Sequence, residues 1–418
     1  MIRPADSVDF AGLIRPGDLV LCGQGTAEPL TLTRRLVAQK DAIGPFTCFL
    51  GATFSDTFAP ERSAGIAFRS YGAIGTSAAL ARAGVLDVLS CHYSALERAF
   101  RTGAMRADVV LLQVAPPPPG RSGYSLSLTH DYVALAARHA RLVIAEVNPQ
   151  APWTHGAALP EERAPDLYVA ADAPPQELGA ARFGDTEAAI ARHVASLVPD
   201  GACLQFGVGA TPVAALSGLG GHRDLGIHSG VIGDVCVDLI ERGAVTNARK
   251  PFDRGVTIAN TVLGTRRLFD HVHDNPAVAV HPASRTHDHA TIAAIPNVRA
   301  INSAIEVDLT GQVNSEIAGK NYVGAVGGLV DFVRGALASE GGRSIIALPS
   351  TTKDGRTSRI SVGIGTVTVA RSDADLVVTE HGVADLRGIG LAERARRMIA
   401  IAAPEHREAL ERASRERA

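Results

Sequence analysis

The feature that most constrains the fold of this chain is a pair of uninterrupted apolar runs, each about as long as a single β-strand. The runs are DVVLLQVA at 108–115 and RLVIAEV at 141–147, and a helical pattern covers residues 132–141 between them. Continuous apolar runs of this length are typical of strands that are covered on both faces of a sheet. The order strand, helix, strand therefore predicts a parallel sheet and a protein of the α/β class.

A strand, a glycine turn and a helix follow one another in both halves of the chain. Residues 18–22 run into Gly23-Gln24-Gly25-Thr26 and a helical pattern, and residues 201–206 run into Gly207-Val208-Gly209-Ala210-Thr211-Pro212 and a second helical pattern. This repetition predicts two related α/β domains, at 1–184 and 185–418, with a crossing linker over residues 149–185. Further strands of the second domain are predicted from the segments GVTIANTVL, AVAVHP, RSIIALPS, VTVA and ADLVVTE, and closing helices from residues 389–415.

Charge, cysteine usage and hydropathy narrow the classes of protein that remain. The 418 residues include 41 Lys and Arg against 43 Asp and Glu, a net charge of -2, which argues against a nucleic-acid or membrane-surface protein. The five cysteines are scattered without a CxxC pair, so neither a zinc site nor a disulfide framework is expected. No apolar run approaches the roughly 18 residues of a membrane span, and charged residues interrupt any signal-peptide core. We expect a soluble, unprocessed, cytoplasmic protein.

Glycine-rich loops after strands are candidate binding sites for an anionic or bulky ligand. A Gly-x-Gly turn lets backbone N–H groups approach the ligand, and the following helix adds the partial positive charge of its N-terminus. Conformation alone also explains either turn, and the dinucleotide pattern GxGxxG is absent from both. Residues 324–332 and the Lys353-bearing turn at 349–355 could hold a phosphate or a pantetheine amide, although a hairpin with a solvated lysine explains the second equally well.

Several long motifs resemble those of the acetyl-CoA hydrolase/transferase family, which includes 4-hydroxybutyrate and acetate CoA-transferases. The motifs are LLQVAPPPPGRSGYSLSLTHDY and VIAEVNPQAPWTHG in the first half, and LQFGVGATPVAAL, LGIHSGVIGDVCVDLIERGAVTN, INSAIEVDLTGQVNSE, GAVGGLVDFVRGA, LPSTTKDGRTSRI and VVTEHGVADLRG in the second. The resemblance covers nearly the whole chain. It implies two CoA-transferase-type domains with mainly parallel sheets and an active-site cleft between them. It also implies CoA contacts at Gly207, Val208, Gly209, Ala210, Thr211, Gly327, Gly328 and Lys353.

The resemblance further implies a reaction, thioester exchange through a covalent intermediate. An enzyme glutamate attacks the acyl-CoA, a mixed anhydride forms, and CoA returns to give a glutamyl-CoA thioester whose CoA passes to a second carboxylate. In the family this glutamate belongs to a segment resembling His-Thr-Glu-Met, and here the segment reads His228-Ser229-Gly230-Val231. Gly230 stands at the position of the nucleophile and has no side chain, so glutamyl catalysis from this position is excluded.

Other titratable residues near these motifs are the remaining candidates for chemistry. His228 is a candidate general base, because histidine titrates near neutral pH, and Asp234 matches an aspartate that the family often carries. A structural hydrogen-bonding role is favoured for the other motif carboxylates, Glu306, Asp308, Glu316 and Glu380. No metal site is expected from the histidines at 271, 273, 281, 287 and 289, because they lie in polar turns without a cysteine or an obvious further ligand.

The sequence thus predicts an acyl-CoA-utilising enzyme with an atypical active site. We expect the acyl group or the CoA to pass directly to water, a carboxylate or another nucleophile, with glycine-loop amides stabilising the oxyanion. CoA is the expected cofactor or substrate, a small molecule the expected acceptor, and a homo-oligomer such as a homodimer the expected assembly. The alternative is a non-catalytic CoA-binding protein, such as a sensor or a partner subunit, which would release no thiol from acyl-CoA.

Overall fold

The computed structural model describes residues 1–179 and 181–416, and within these ranges two sheets of eight strands each form the framework. The first sheet is built from β1 (Ile2–Arg3), β2 (Leu19–Cys22), β3 (Thr47–Leu50), β4 (Ala67–Ser70), β5 (Leu86–Val88), β6 (Val109–Val114), β7 (Leu142–Val147) and β8 (Leu167–Ala170). Its strand order is β1-β8-β7-β6-β2-β3-β4-β5. All of these neighbours pair in parallel.

The second half of the chain forms the other large sheet and two small ones. Its strands are β9 (Cys203–Phe206), β10 (Gly226–Ile232), β11 (Thr257–Val262), β12 (Val278–Val280), β13 (Val298–Asn302), β14 (Glu306–Asp308), β15 (Val313–Asn314), β16 (Ile317–Ala318), β17 (Asn321–Tyr322), β18 (Arg343–Ala347), β19 (Ile360–Ser361), β20 (Leu376–Thr379) and β21 (Gly382–Asp385). The large sheet has the order β12-β11-β10-β9-β13-β18-β20-β21 and is parallel apart from the β20–β21 pair. The predicted α/β class with mainly parallel sheets is therefore confirmed.

Helices alternate with the strands, as a parallel sheet requires. In the first half they are α1 (Phe10–Leu13), α2 (Leu30–Ala38), α3 (Lys40–Ile43), α4 (Ser77–Arg82), α5 (Tyr93–Arg101) and α6 (Val133–Ala137). In the second half they are α7 (Asp185–Ala195), α8 (Ala210–Ser217), α9 (Asp234–Glu241), α10 (Arg266–Val272), α11 (Ala283–Thr286), α12 (His289–Ala293), α13 (Leu329–Ala338), α14 (Leu391–Ala400) and α15 (Pro404–Glu416). Within the described residues, no helix is both long and apolar enough to span a bilayer.

One large cluster of apolar side chains connects the two sheets. Val110 and Val143 of the first sheet belong to the same cluster of buried side chains as Leu204 and Ile227 of the second. The apolar runs that predicted a parallel sheet are the buried strands β6 and β7. Because both sheets contribute to this cluster, the two halves of the chain are packed against each other, and loops that follow their strands line a common cavity.

Two predictions of local structure are wrong. The segment VTVA at 367–370 is not a strand, because the N–H groups of both Thr368 and Val369 donate to one acceptor, the carbonyl of Val313, and the pairing ends there. The predicted linker over residues 149–185 contains β8, which pairs in parallel with β1 and β7. Burial of Val169 explains this strand, which its Pro- and Ala-rich flanks concealed in the sequence.

Candidate functional site

A cavity of about 190 Å³ lies where the two halves of the chain meet. The first half lines it with Gln24, Gly25, Ala52, Phe54, Tyr71, Ile74 and Tyr93. The second half lines it with Gln205, Phe206, Gly207, Val208, Gly230, Val231, Asn260, Thr261, Leu263, His287, Asn302, Gly327, Gly328, Leu329 and Phe332. Among these described lining residues there is no Lys, Arg, Asp or Glu, so the wall is electrically neutral when His287 is neutral.

The parallel strands explain why these residues meet. Gly207 and Val208 directly follow β9, and Asn302 ends β13 beside it. Open α/β sheets bind ligands at this carboxyl edge, where the loops after neighbouring strands lie side by side. The structure thereby brings together five of the residues singled out in the sequence, and these are Gly207, Val208, Gly230, Gly327 and Gly328.

The rest of the 207–211 turn points away from the main cavity. Gly209 has φ +113° and is the N-cap residue of α8, and Ala210 and Thr211 form its first turn. This φ lies in the region that favours glycine. Gly209 lines a second cavity of about 90 Å³ that shares Gly207 and Val208 with the first. The turn therefore borders two adjacent spaces.

Three other candidate residues do not line the main cavity. His228 is buried with its Nε2 3.1 Å from the carbonyl oxygen of Thr286, and burial lowers its pKa to about 4. Asp234 accepts hydrogen bonds from the backbone N–H and the hydroxyl of Thr265, at 3.1 and 2.6 Å, and borders the second cavity. Lys353 is exposed on a loop. Catalysis by His228 or Asp234 and CoA binding by Lys353 stay predictions.

The other motif carboxylates accept hydrogen bonds from neighbouring backbone and side-chain groups. Asp308 accepts from the backbone and side chains of Thr310 and Gln312, and Glu316 accepts from the hydroxyls of Tyr322 and Thr368. Similar bonds hold the last two, Glu306 by Asn314 and Glu380 by Ser350. As described, none of these four carboxylates lines the cavity.

His287 is the residue of this cavity that sequence reasoning missed. Its side chain is 5 % exposed, and its ring centroid lies 5.0 Å from that of Tyr93 and 4.7 Å from that of Phe332. Nδ1 lies 2.8 Å from the hydroxyl oxygen of Thr286. Burial lowers the pKa of His287 to about 3, with a smaller effect of His228, so the ring is neutral at physiological pH.

Gly230 leaves the space that His287 uses. A Cβ atom built on Gly230 would lie 2.9 Å from Nε2 of His287 and 3.2 Å from Cε2 of Phe332. The φ of Gly230 is outside the left-handed region, so its backbone itself permits a side chain. Side-chain packing, and not backbone conformation, therefore accounts for the glycine.

A network of amide and hydroxyl groups forms the opposite wall. Nε2 of Gln24 donates to the hydroxyl of Tyr93 and to Asp131, each at 2.8 Å, and Oε1 of Gln24 accepts from the hydroxyl of Tyr71 at 2.9 Å. Burial raises the pKa of Asp131 to about 7. Because the Tyr93 oxygen accepts from Gln24, its own proton is available for a ligand in the cavity.

Comparison with known proteins places this geometry in context. Residues 264–414 match the acetyl-CoA hydrolase/transferase C-terminal domain. The chain is 41 % identical over 331 residues to a 4-hydroxybutyrate coenzyme A transferase of Clostridium kluyveri, covering 78 % of this chain and 77 % of that protein. It is 34 % identical over 413 residues to a succinyl-CoA:cyclohexane-1-carboxylate CoA transferase of Geobacter metallireducens, covering 98 % and 94 %.

A solved structure extends the similarity to the three-dimensional fold. The crystal structure of RipA from Yersinia pestis superposes with a TM-score of 0.90 at 34 % identity, and the match covers 97 % of this chain and 95 % of that one. Similarity of this extent in both sequence and structure includes both halves and the strand ends that form the cavity. The chain belongs to the acetyl-CoA hydrolase/transferase family.

Proposed function

We propose that this protein hydrolyses acyl-CoA thioesters with an uncharged acyl group by direct attack of water, without a glutamyl-CoA intermediate. The observation that carries the proposal is Gly230 in the wall of a cavity that has no carboxylate among its described lining residues. A covalent route needs a nucleophilic side chain beside the thioester. The lining offers none of the carboxylates that such a route uses.

The neutral wall supports water as the acceptor and an uncharged acyl group. A carboxylate acceptor, or a dicarboxylic acyl group such as succinyl, brings a negative charge whose burial is costly without a cationic partner. The side-chain amides of the wall are engaged in hydrogen bonds, such as the reciprocal bonds of 2.9 and 3.1 Å between Gln205 and Asn302 and those that Asn260 donates to the carbonyls of His130 and His281. Water carries no charge and therefore needs no cationic partner in this wall.

The start of α13 supports stabilisation of the oxyanion that hydrolysis generates. Gly328 is the N-cap residue of this helix, and Gly328 and Leu329 both line the cavity. Helix N-termini present N–H groups without intrahelical partners and a partial positive charge. The N–H of Leu329 donates to the carbonyl of Val326 at 3.3 Å, so we assign this role to the N–H groups that follow it in the first turn. Such groups stabilise the negative charge that develops on a thioester oxygen under attack.

The turn at 207–211 is the proposed binding site of CoA, at the same carboxyl edge of the second sheet. Gly207 and Val208 border both cavities, so a ligand that enters along the 207–211 turn reaches Gly230. We assign the pantetheine arm to this path and the exposed Lys353 to the charged part of CoA. This assignment agrees with the contacts that the family resemblance implies.

The test compares acyl-CoA substrates of one size and different charge. Purified protein is mixed with butyryl-CoA or succinyl-CoA, with and without acetate, and free thiol and acyl-CoA products are measured. We expect thiol release from butyryl-CoA, much slower release from succinyl-CoA, and no acetyl-CoA in the presence of acetate. Formation of acetyl-CoA would favour CoA transfer, and tight CoA binding without thiol release would favour the non-catalytic alternative.

A single turnover in ¹⁸O-water tests the absence of the intermediate. Direct attack by water puts ¹⁸O into the released acid alone. If an acyl–enzyme anhydride forms instead, water that attacks the carbonyl of the enzyme side chain leaves ¹⁸O in that side chain. Intact-protein mass spectrometry of the same reaction should show no mass increase corresponding to CoA. A CoA adduct mapped to Glu306, Glu316 or Glu380 would refute the direct mechanism.

A further inference from the structure

The imidazole of His287 reaches the cavity through a gap that two glycines leave open. A Cβ on Gly230 would lie 2.9 Å from Nε2 of His287, and a Cβ on Gly328 would lie 2.6 Å from the same atom. Gly230 belongs to β10 and Gly328 is the N-cap of α13, so Nε2 lies where this strand passes the start of the helix. Nε2 is therefore next to both features used in the proposed hydrolysis, the space at Gly230 and the N–H groups of α13.

The surroundings of the ring fix its orientation. Phe332 and Tyr93 pack against it with centroid distances of 4.7 and 5.0 Å. On its far side, Nδ1 is 2.8 Å from Oγ1 of Thr286. A buried ring with aromatic neighbours and one hydrogen-bonded nitrogen has little freedom to turn, so Nε2 keeps its position beside the cavity.

The hydrogen bonds of Thr286 decide which ring nitrogen holds the proton. The Thr286 hydroxyl donates to the carbonyl of Pro282 at 3.2 Å, which is the usual back-bond of a threonine at the end of a helical turn. A hydroxyl has a single proton, so toward His287 its oxygen acts as the acceptor and Nδ1 as the donor. Nε2 is then unprotonated, and its lone pair is available to a water molecule in the cavity.

We infer that His287 is a catalytic residue of this protein, the general base whose Nε2 takes a proton from the attacking water. The inference rests on the hydrolysis proposed above. As the water oxygen bonds to the thioester carbon, one water proton moves to Nε2 and the carbonyl π electrons move to the oxygen. The resulting oxyanion lies against the N–H groups at the start of α13.

Collapse of this intermediate completes the balance of atoms and charge. The oxyanion electrons re-form the C=O bond, the C–S bond breaks, and the sulfur leaves with its electron pair. The proton on Nε2 passes to the thiolate, which gives free CoA, a carboxylic acid and neutral His287. Protonated His287 is positively charged, and the oxyanion that forms beside it provides a negative counter-charge while the intermediate exists. Histidine acts in the same way as a general base in other acyl-transfer reactions.

The first test replaces the base while keeping a hydrogen-bond acceptor. His287→Gln and His287→Asn cannot take up the proton, so we expect kcat for butyryl-CoA to fall by about 10²–10⁴-fold, the usual effect of losing a general base. The dissociation constant for CoA should be unchanged. The matched control is His289→Gln, since His289 is exposed two residues away, and its kcat should equal that of the wild type.

A second test concerns Thr286 as a positioning residue. Thr286→Val removes the hydroxyl that accepts from Nδ1 and should lower kcat with little change in KM, whereas Thr286→Ser keeps the hydroxyl and should restore kcat. Nitrogen-15 NMR of histidine-labelled wild-type protein reads the tautomer without any risk of misfolding. A protonated Nε2 with a bare Nδ1 in the free protein would overturn the assignment.

The outcomes separate this inference from the proposed function. Wild-type turnover with an undiminished kcat in folded His287→Gln protein overturns the role of His287 and leaves hydrolysis intact. No thiol release by the wild type overturns hydrolysis and, with it, the base. A large loss of kcat at unchanged CoA affinity, together with an unprotonated Nε2, supports both.

Discussion

Adding one methyl group at Gly230 should destabilise the protein through His287. The Cβ of Gly230→Ala would lie 2.9 Å from Nε2 of His287, whereas ordinary contacts of a Cβ atom begin at 3.4 Å, so something has to move by the difference of 0.5 Å. The new Cβ would also lie 3.2 Å from Cε2 of Phe332, so the methyl group cannot avoid His287 by moving toward Phe332. The ring is packed between aromatic neighbours, so the strain cannot be relieved by a simple rotation.

The expected magnitude follows from two opposing effects. Overpacking a well-packed interior by one methyl costs about 1–3 kcal/mol, and replacing a strand glycine by alanine returns about 0.5–1 kcal/mol of backbone entropy. We therefore expect a net loss of about 0–2.5 kcal/mol in the free energy of unfolding. In a His287→Ala background the contact is gone, and the same methyl should be neutral or stabilising.

The assay is a double-mutant cycle measured by urea unfolding at pH 7. Wild type, Gly230→Ala, His287→Ala and the double variant should give a coupling free energy of about 1–3 kcal/mol. The matched control is Gly221→Ala, because a Cβ there meets nothing within 4 Å and its φ is not positive. Its effect should be small and additive with that of His287→Ala.

The contact between position 230 and His287 also determines whether a glutamate introduced at position 230 can act as a nucleophile. Gly230→Glu alone should displace His287 and form no CoA adduct, whereas Gly230→Glu with His287→Ala has room for the carboxylate and should give a CoA-mass adduct with acyl-CoA. Additive effects in the Gly230 and His287 cycle would refute the packing argument. An adduct in the single variant as strong as in the double variant would also refute it.

Three further predictions concern the CoA turn, the charged part of CoA and a buried carboxyl group. Gly209→Ala puts a side chain at φ +113°, a strain of about 1–3 kcal/mol, so it should weaken CoA binding in calorimetry and lower the thermal unfolding midpoint by a few degrees while the protein stays folded. Lys353→Gln should weaken CoA binding by a few-fold and flatten its salt dependence, because the residue is exposed and screened. Burial raises the pKa of Glu146 from 4.5 to about 8, so the folded protein keeps a proton that the unfolded chain releases, and stability falls as pH rises through this window. Glu146→Gln should therefore flatten urea-unfolding stability between pH 5 and pH 8.

The parts of the structure that depend on local pattern could be predicted from the sequence. Strands β6 and β7 follow from continuous apolar runs, and the turn at Gly207 follows from the order of strand, glycine and helix. β8 escaped prediction because its flanks are rich in Pro and Ala, although Val169 is buried in the sheet. The segment 367–370 has strand-like composition but pairs at one residue only, and pairing is not a local property.

Only those cavity residues that lie within a recognisable sequence motif could be predicted. Gly230 could be identified because a motif surrounds it. His287 could not, because its role depends on contacts with residues 57 positions earlier and 41 later, and its own segment has the polar character of a surface turn. The sequence placed His287 and His289 together in a polar turn, whereas the structure buries the first histidine and exposes the second.

The space between Gly230 and His287, in the wall of the cavity, relates the missing carboxylate to the histidine. The Cβ of a glutamate at position 230 would already lie within 3 Å of the imidazole of His287. The fold therefore accommodates the glutamate or the imidazole, but not both. The turn at Gly207 lies outside this contact, because a Cβ there would meet only Asn302, whereas Gly328 at the start of α13 borders it, with a Cβ position 2.6 Å from Nε2 of His287. Under the proposed mechanism, we expect CoA binding at the Gly207 turn not to depend on which of the two side chains is present, whereas the identity of the reacting group does. Under the proposed mechanism, a glutamate at position 230 needs a smaller side chain at position 287, so we expect these two positions to change together.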